Sequence, residues 1–170
     1  VPICREEILL VVPDVVIHKA YPDRFEEIKK KLYQSADVRL LENCPFVLLK
    51  KGNRVRTIAD ELFEDTQITP HIVLETENIE TVLALSVQGM GITFYPRMFM
   101  STKQNLKAYH DSLMKQAGLN LFSLNYPRAH GTLAIGYHKG HYMSRATHEF
   151  IRTALEHIPS AAGLPLNTDV

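Results

Sequence analysis

The fold is decided by residues 71–96, HIVLETENIETVLALSVQGMGITFYP. Residues 71–75 form a short run rich in branched apolar side chains, which predicts a buried strand. After a polar turn, residues 79–88 predict an apolar helix, and the Gly89-Met90-Gly91 turn ends it. Residues 92–95 are a second branched apolar run. The stretch therefore predicts a strand, a helix and a strand with short connections.

The same alternation extends toward the amino terminus. Residues 8–12 and 45–49 predict two further buried strands, and residues 23–34 and 55–63 predict amphipathic helices. Strand–helix–strand units with short connections imply parallel strands with helices on their faces. We therefore predict an α/β fold of mixed, Rossmann-like sheets with flanking helices.

The pattern changes in the last third of the chain. We predict a polar helix or a long linker at residues 103–116, and short strands at 121–124 and 133–137. Ser144 is placed to cap a final helix that runs to residue 157 and ends at Pro159. Its apolar face, predicted to point inward, consists of Phe150, Ile151, Ala154 and Leu155. Residues 159–170 predict a flexible tail.

Composition narrows the class of protein. The chain has 170 residues, 45% of them hydrophobic, and a formal net charge of +0. It lacks the basic excess typical of a free-standing nucleic-acid binder. Its two cysteines predict no disulfide framework and have no metal-ligand spacing, so we expect reduced thiols in a cytoplasmic protein. We see no signal peptide and no membrane span, and because the chain begins without Met we expect a part of something longer.

No motif for covalent chemistry stands out. His148-Glu149 lacks the second histidine of a zinc-protease helix, because position 152 holds Arg152. A serine-hydrolase elbow is absent from the sequence. The Gly89-Met90-Gly91 turn precedes a strand, so it does not present helix-end amides to a nucleotide phosphate. We expect no catalytic residue, no bound metal and no cofactor.

One turn has the chemistry of an anion site. Lys50-Lys51-Gly52-Asn53-Arg54 joins a predicted strand to the start of a predicted helix, where free amides, the helix dipole and cations favour a carboxylate. The alternative is an ordinary turn with exposed lysines. In an open parallel sheet ligands bind at the carboxyl ends of strands, so we expect three loops, at residues 49–54, 75–78 and 90–94, to line one concave surface. The candidate ligand-binding residues are Lys50, Gly52, Asn53, Arg54, Thr76, Asn78, Met90, Gly91 and Phe94.

Four segments, in order, resemble a known family, and residues 133–155 fit its closing strand and helix. The segments are REEILLVVP at 5–13, PFVLLK at 45–50 with NRVR at 53–56, LETENIETVLAL at 74–85, and GMGITFYPR at 89–97. Together they resemble the effector-binding domain of LysR-type transcriptional regulators, which has the fold of type 2 periplasmic binding proteins. The first segment resembles the strand that crosses between the two subdomains of that fold.

The resemblance implies a partial domain at residues 1–158, with one complete subdomain and part of another. Residues 13–98 would form the second subdomain, and residues 1–12 and 120–158 the crossover and returning part of the first. The family's winged helix and the first strands of subdomain one have no counterpart in this sequence. The implied function is to bind a small, anionic organic effector between the subdomains. The resemblance also implies a homodimer or higher homo-oligomer that acts on DNA only through a winged helix outside this chain. It implies no membrane partner.

Two alternatives stay open. A periplasmic solute-binding protein has the same fold, and it differs by a signal peptide or lipobox where a regulator has a helix-turn-helix. An enzyme on a related fold, such as a prephenate dehydratase-like or deaminase-like domain, would need a polar catalytic cluster in the cleft.

Overall fold

A computed structural model describes residues 1–101, 118–138, 140 and 142–162. The predicted helix or linker at residues 103–116 and the tail residues 163–170 lie outside this part. The helices and strands are β1 (Pro2–Pro13), α1 (Asp14–Ala20), α2 (Phe25–Ser35), β2 (Pro45–Leu49), α3 (Arg54–Thr66), β3 (His71–Thr76), α4 (Ile79–Val87), β4 (Thr93–Pro96), α5 (Arg97–Ser101), β5 (Leu119–Ser123), β6 (His130–Ala134) and α6 (Arg145–Ala162). Short 3-10 turns lie at Pro22–Arg24, Val38–Leu41 and Pro127–Ala129.

Strand β1 crosses between the two parts of the fold, as the resemblance implied. Its first half pairs antiparallel with β6, with Glu7 opposite His130. Its second half lies between β4 and β5, and both of these strands are antiparallel to it. The strand begins at Pro2. The apolar pattern predicted a start at residue 8, because charged side chains at positions 5–7 interrupt that pattern.

Strands β2 and β3 are parallel, as predicted, and α3 connects them. The third predicted parallel strand, at residues 92–95, is parallel to β2 only at its first residue. Ile92 forms a parallel bridge with Phe46, and the backbone N–H of Val47 donates to the Ile92 carbonyl over 2.9 Å. The chain then turns away as β4 and pairs antiparallel with β1. The sheet is therefore mixed, with the order β4-β1-β5 joined to β2-β3 through this bridge.

Buried side chains cover both faces of the central strands. On one face, Leu10 and Phe94 belong to the main core, which includes buried residues of α2 and α3. On the other face, Val11 and Tyr95 pack with Leu83 of α4. Helices on both faces of a mixed sheet confirm the predicted α/β class.

Strand β5 and the residues after it pack into the main core. Phe122 and Leu124 are 5% and 3% exposed and lie in this core, as does Ala129 after them. The sequence analysis placed residues 120–158 in the returning part of the first subdomain. Strand β6, which pairs with the first half of β1, begins at His130 instead of residue 133.

Two helices differ from the sequence analysis. Helix α1 was missed because its seven residues are too few to show a periodic pattern, although Val16 and Ile17 are buried. Helix α6 starts as predicted, with the Thr147 amide donating to Ser144 Oγ over 3.2 Å. It continues through Ala162, so the prediction that Pro159 ends it is wrong.

The apolar face of α6 is only partly covered. Ala154 is buried against a small cluster that includes Ile3 and Cys4. Phe150 and Leu155 are 65% and 39% exposed, so the prediction that they point inward is wrong for the described residues. In the described residues, no helix is long and apolar enough to cross a membrane.

Candidate functional site

An open pocket lies where β2 ends and α3 begins. Its volume is about 290 Å³, and it is lined by Leu49, Lys50, Lys51, Gly52, Asn53 and Glu77. The backbone N–H of Lys50 donates to the Thr76 carbonyl over 2.9 Å, which holds the carboxyl ends of β2 and β3 side by side. The first two predicted loops therefore meet at one edge of the sheet.

The turn is shaped to start α3 at the pocket. Asn53 Oδ1 accepts a hydrogen bond of 2.9 Å from the Val55 amide, and the Asn53 carbonyl accepts one of 3.0 Å from the Thr57 amide. Gly52 has a φ of +95°, a left-handed conformation that favours glycine. The other amides of the first turn have no acceptor within the helix, as at any helix start.

The pocket carries a small positive excess. Its lining holds two lysines, Lys50 and Lys51, against one carboxylate, Glu77. Lys50 Nζ donates to Glu77 Oε1 over 2.9 Å, and this hydrogen bond raises the pKa of Lys50 and lowers the pKa of Glu77. Both side chains are more than half exposed, so the pair adds little stability.

Thr76 and Asn78 connect β3 to α4 beside the pocket. The Asn78 amide donates to Thr76 Oγ1 over 3.3 Å. Asn78 Oδ1 accepts a hydrogen bond of 3.0 Å from the Thr81 amide and so caps the start of α4. Both side chains therefore hold the local backbone.

Arg56 is a structural residue of the site that the sequence analysis did not single out. It is 4% exposed, and its Nη1 donates to the Leu49 carbonyl over 2.8 Å and to Glu75. Its Nε donates to Asp60 Oδ1 over 2.7 Å. Arg56 thus holds the ends of β2 and β3 against α3. Two of its partners, Leu49 and Glu75, lie on strands β2 and β3, so the sequence alone gave no signal for this role.

The third predicted loop does not share the pocket. The Ile92 amide donates to the Pro45 carbonyl over 2.8 Å, and a Cβ on Gly91 would lie 2.8 Å from the same oxygen. Because Pro45 begins β2, Met90 and Gly91 lie at the opposite end of that strand from Lys50. This loop precedes its strand, whereas the rule for ligand binding concerns the strand ends.

Phe94 lies in the core and not on a ligand-facing surface. It is 1% exposed, and its ring centroid lies 6.5 Å from that of Phe46 and 5.7 Å from that of Phe63. Of the nine candidate residues, Lys50, Gly52 and Asn53 line the pocket, Arg54 follows them at the start of α3, and Thr76 and Asn78 lie at the end of the neighbouring strand.

A buried carboxylate marks the point where β1 crosses between the two parts of the fold. Glu7 is 9% exposed and accepts a hydrogen bond of 2.5 Å from Arg97 Nε. Its other oxygen accepts a hydrogen bond from Ser123 Oγ. Arg97 follows β4 and Ser123 ends β5, so Glu7 holds the ends of both strands at the crossover.

Both cysteine thiols are expected to be unreactive in the native protein. Cys4 and Cys44 are 0% exposed, and burial raises the pKa of both, that of Cys44 to about 12. Because the thiolate is the nucleophile, Ellman's reagent at pH 8 should label neither thiol in native protein and both in denaturant. Fast labelling of the native protein would contradict this burial.

Within the described residues, no three His, Cys, Asp or Glu side chains are grouped to hold a metal ion.

Comparison with known families gives a match along nearly the whole chain. The family described as LysR substrate binding domain matches residues 1–159. An uncharacterized HTH-type transcriptional regulator of Bacillus subtilis (strain 168), YybE, is 29% identical over 112 residues, which cover 66% of this chain and 34% of the relative. A second from the same organism, YcgK, is 28% identical over 108 residues, 60% of this chain and 33% of the relative. The chain thus spans about a third of the length of these relatives.

Solved structures show the same fold. The effector binding domain of QuiR in complex with shikimate has a TM-score of 0.60 at 21% identity, with 92% of this chain and 63% of that chain covered. The regulatory domain of CcmR from Synechocystis PCC6803 in complex with 2-PG has a TM-score of 0.62 at 13% identity, with 92% and 64% covered. These matches confirm the type 2 periplasmic-binding-protein-like fold. The crossing strand, the pocket-forming turn and the match over residues 1–159 lead to one conclusion: this chain belongs to the LysR substrate binding domain family.

Proposed function

We propose that this chain is the effector-sensing part of a transcriptional regulator and that it binds a small organic anion at the pocket between β2 and α3. The observation that carries this proposal is the capped start of α3 beside Lys50 and Lys51 at the carboxyl edge of two parallel strands. Amides at a helix start and nearby cations are a physical receptor for carboxylate or phosphate. Binding alone is the role of the site, without a covalent step and without a cofactor.

The ligands of the structural neighbours support an anionic effector. QuiR was solved with shikimate, which carries a carboxylate, and CcmR with 2-PG, which carries a phosphate. Both chemistries suit a site with two lysines and a helix start. The nature of the curated relatives, HTH-type regulators, favours a regulator over a periplasmic solute-binding protein or an enzyme.

The regulator acts in the cytoplasm and contacts DNA through a winged helix outside this chain. The zero net charge of this sequence gives it no electrostatic attraction to the phosphate backbone. We further propose a homodimer or higher homo-oligomer, supported by the exposed apolar side chains of Phe150 and Leu155 on α6. Closure around the effector changes how the oligomer presents its DNA-binding domains.

The proposal predicts that Arg54→Ala weakens anion binding by about 1.5–3 kcal/mol, the range for a lost charge-assisted contact. Asn53→Asp should weaken it as well, because aspartate keeps the helix cap but adds a repelling charge. Isothermal titration calorimetry with a panel of small carboxylates and phosphate esters, including shikimate and 2-phosphoglycolate, measures both effects.

Lys30→Ala is the matched control, because it removes an exposed cation from α2, away from the pocket. Its affinity should equal that of the wild-type protein. The proposed site is wrong if Arg54→Ala and Asn53→Asp bind the same compound as tightly as the control does.

A further inference from the structure

A short connector, residues 124–131, joins the two parts of the fold for a second time after β1. It leaves the end of β5 in the main core and enters β6, which pairs with the first half of β1. Leu124 and Ala129 are 3% and 1% exposed, so the connector is anchored in the core and is not a free loop. His130 Nε2 lies 2.9 Å from the Leu124 carbonyl and closes the turn between them.

The connector lies antiparallel along helix α3. Tyr126 OH donates to Asp65 Oδ2 over 2.9 Å near the carboxyl end of the helix, and Arg128 pairs with Glu61 one turn earlier. Gly131 lies against the side chain of Arg54 at the helix start. The last of these contacts therefore falls at the pocket end of α3, where the connector has become β6.

The contact between Arg54 and Gly131 depends on the missing side chain. A Cβ on Gly131 would lie 2.5 Å from Arg54 Nη2. The backbone of Gly131 is not left-handed, so its conformation is open to other residues. The steric reason for glycine at position 131 is therefore the space that the guanidinium of Arg54 occupies.

Arg54 also differs from the arginines near it. Arg56 pairs with Glu75 and Asp60, and Arg128 pairs with Glu61. Within the described ranges Arg54 has no ion pair and no side-chain hydrogen bond. A guanidinium without a carboxylate partner keeps its planar fork of donors available for a carboxylate or phosphate.

We infer that Gly131 is a positioning residue for Arg54: it leaves the space in which the guanidinium bridges the start of α3 to strand β6, and this bridge sets where Arg54 meets an anion. The part that concerns the anion rests on the proposed function. The bridge itself is a property of the protein without ligand. Through the contact between Arg54 and Gly131, an anion at the start of α3 is linked to the part of the fold that contains β6.

The test is a double-mutant cycle of Gly131→Ala and Arg54→Ala. Gly131→Ala keeps the charge of Arg54 but displaces its guanidinium, and the displaced atoms are the far end of a flexible side chain. Gly136→Ala is the matched control, because a Cβ on Gly136 meets no atom within 4 Å. Two readouts are needed: calorimetric affinity for shikimate and 2-phosphoglycolate, and hydrogen exchange of the β6 amides without ligand.

We expect Gly131→Ala to weaken binding roughly tenfold or more, as for a lost charge-assisted contact, and to have no further effect in the Arg54→Ala background. Without ligand, exchange in β6 should be several-fold faster in each single variant, no faster in the double variant, and unchanged in Gly136→Ala. Additive effects of the two substitutions, or an equal response to Gly136→Ala, would overturn the inference.

The outcomes separate the inference from the proposed function. If neither probe binds any of the proteins, the proposed ligand site fails, and the exchange data alone decide whether the bridge exists. If Gly131→Ala does not fold, the double variant decides: restored folding supports the bridge, because truncation of Arg54 makes room for the new Cβ. Continued failure to fold rejects it.

Discussion

Phe94→Ala is expected to lower the free energy of unfolding by about 3–5 kcal/mol, the cost of emptying a fully packed phenylalanine site. The side chain is 1% exposed, and its ring packs edge-on against Phe63 and stacks with Phe46. These contacts join β4 to β2 and α3, so surrounding side chains cannot easily fill the cavity. Aromatic pairs add about 0.5–1.5 kcal/mol beyond the area they bury.

Urea denaturation measures this loss, with Tyr142→Ala as the control. Tyr142 is 91% exposed, and removal of an exposed side chain changes stability by about 0.5 kcal/mol or less. A variant with wild-type stability and weaker anion binding would contradict this, because it would show that Phe94 contacts the ligand and does not stabilise the core.

Arg56→Met is expected to be the second large loss, about 2–3 kcal/mol of stability. Removing one partner of a buried pair costs about 3–5 kcal/mol, and the exposure of Asp60 and Glu75, 41% and 43%, reduces that cost because water can solvate both carboxylates. The Leu49 carbonyl also loses the donor that it has 2.8 Å away.

Arg152→Met is the matched control for thermal unfolding. Arg152 makes the same i,i+4 pair in α6, with Glu156 at 2.7 Å, but its side chain is 59% exposed. Exposed pairs of this type contribute about 0–1 kcal/mol. Equal losses in the two variants would show that burial of Arg56 does not decide its contribution.

The parts of the fold that could be predicted are those whose pattern is local. Strand β2 and the helix α3 have uninterrupted apolar periodicity, and both were placed within a few residues. The apolar pattern predicted only the second half of β1, because charged side chains interrupt it at positions 5–7, and the resemblance extended the strand back to residue 5. The inward face of α6 was predicted from periodicity, which does not say whether a neighbouring element covers that face.

The site was predictable where one rule of topology applies. Lys50 and Thr76 meet because parallel strands end at the same edge of a sheet. Met90 and Gly91 were misplaced because the same rule was applied to a turn before a strand. The roles of Arg56 and Gly131 depend on contacts between distant segments, and such contacts leave no local pattern in a single sequence.

The most direct test of the account is a crystal structure of the protein with the tightest-binding anion from the calorimetric panel. We predict that the carboxylate or phosphate lies at the start of α3, within hydrogen-bonding distance of Lys50 or Lys51 and of Arg54, with the hydrogen bond from Lys50 to Glu77 broken. The account would be contradicted by an anion bound elsewhere, for example in the groove between Ala36 and Tyr126, with the start of α3 empty.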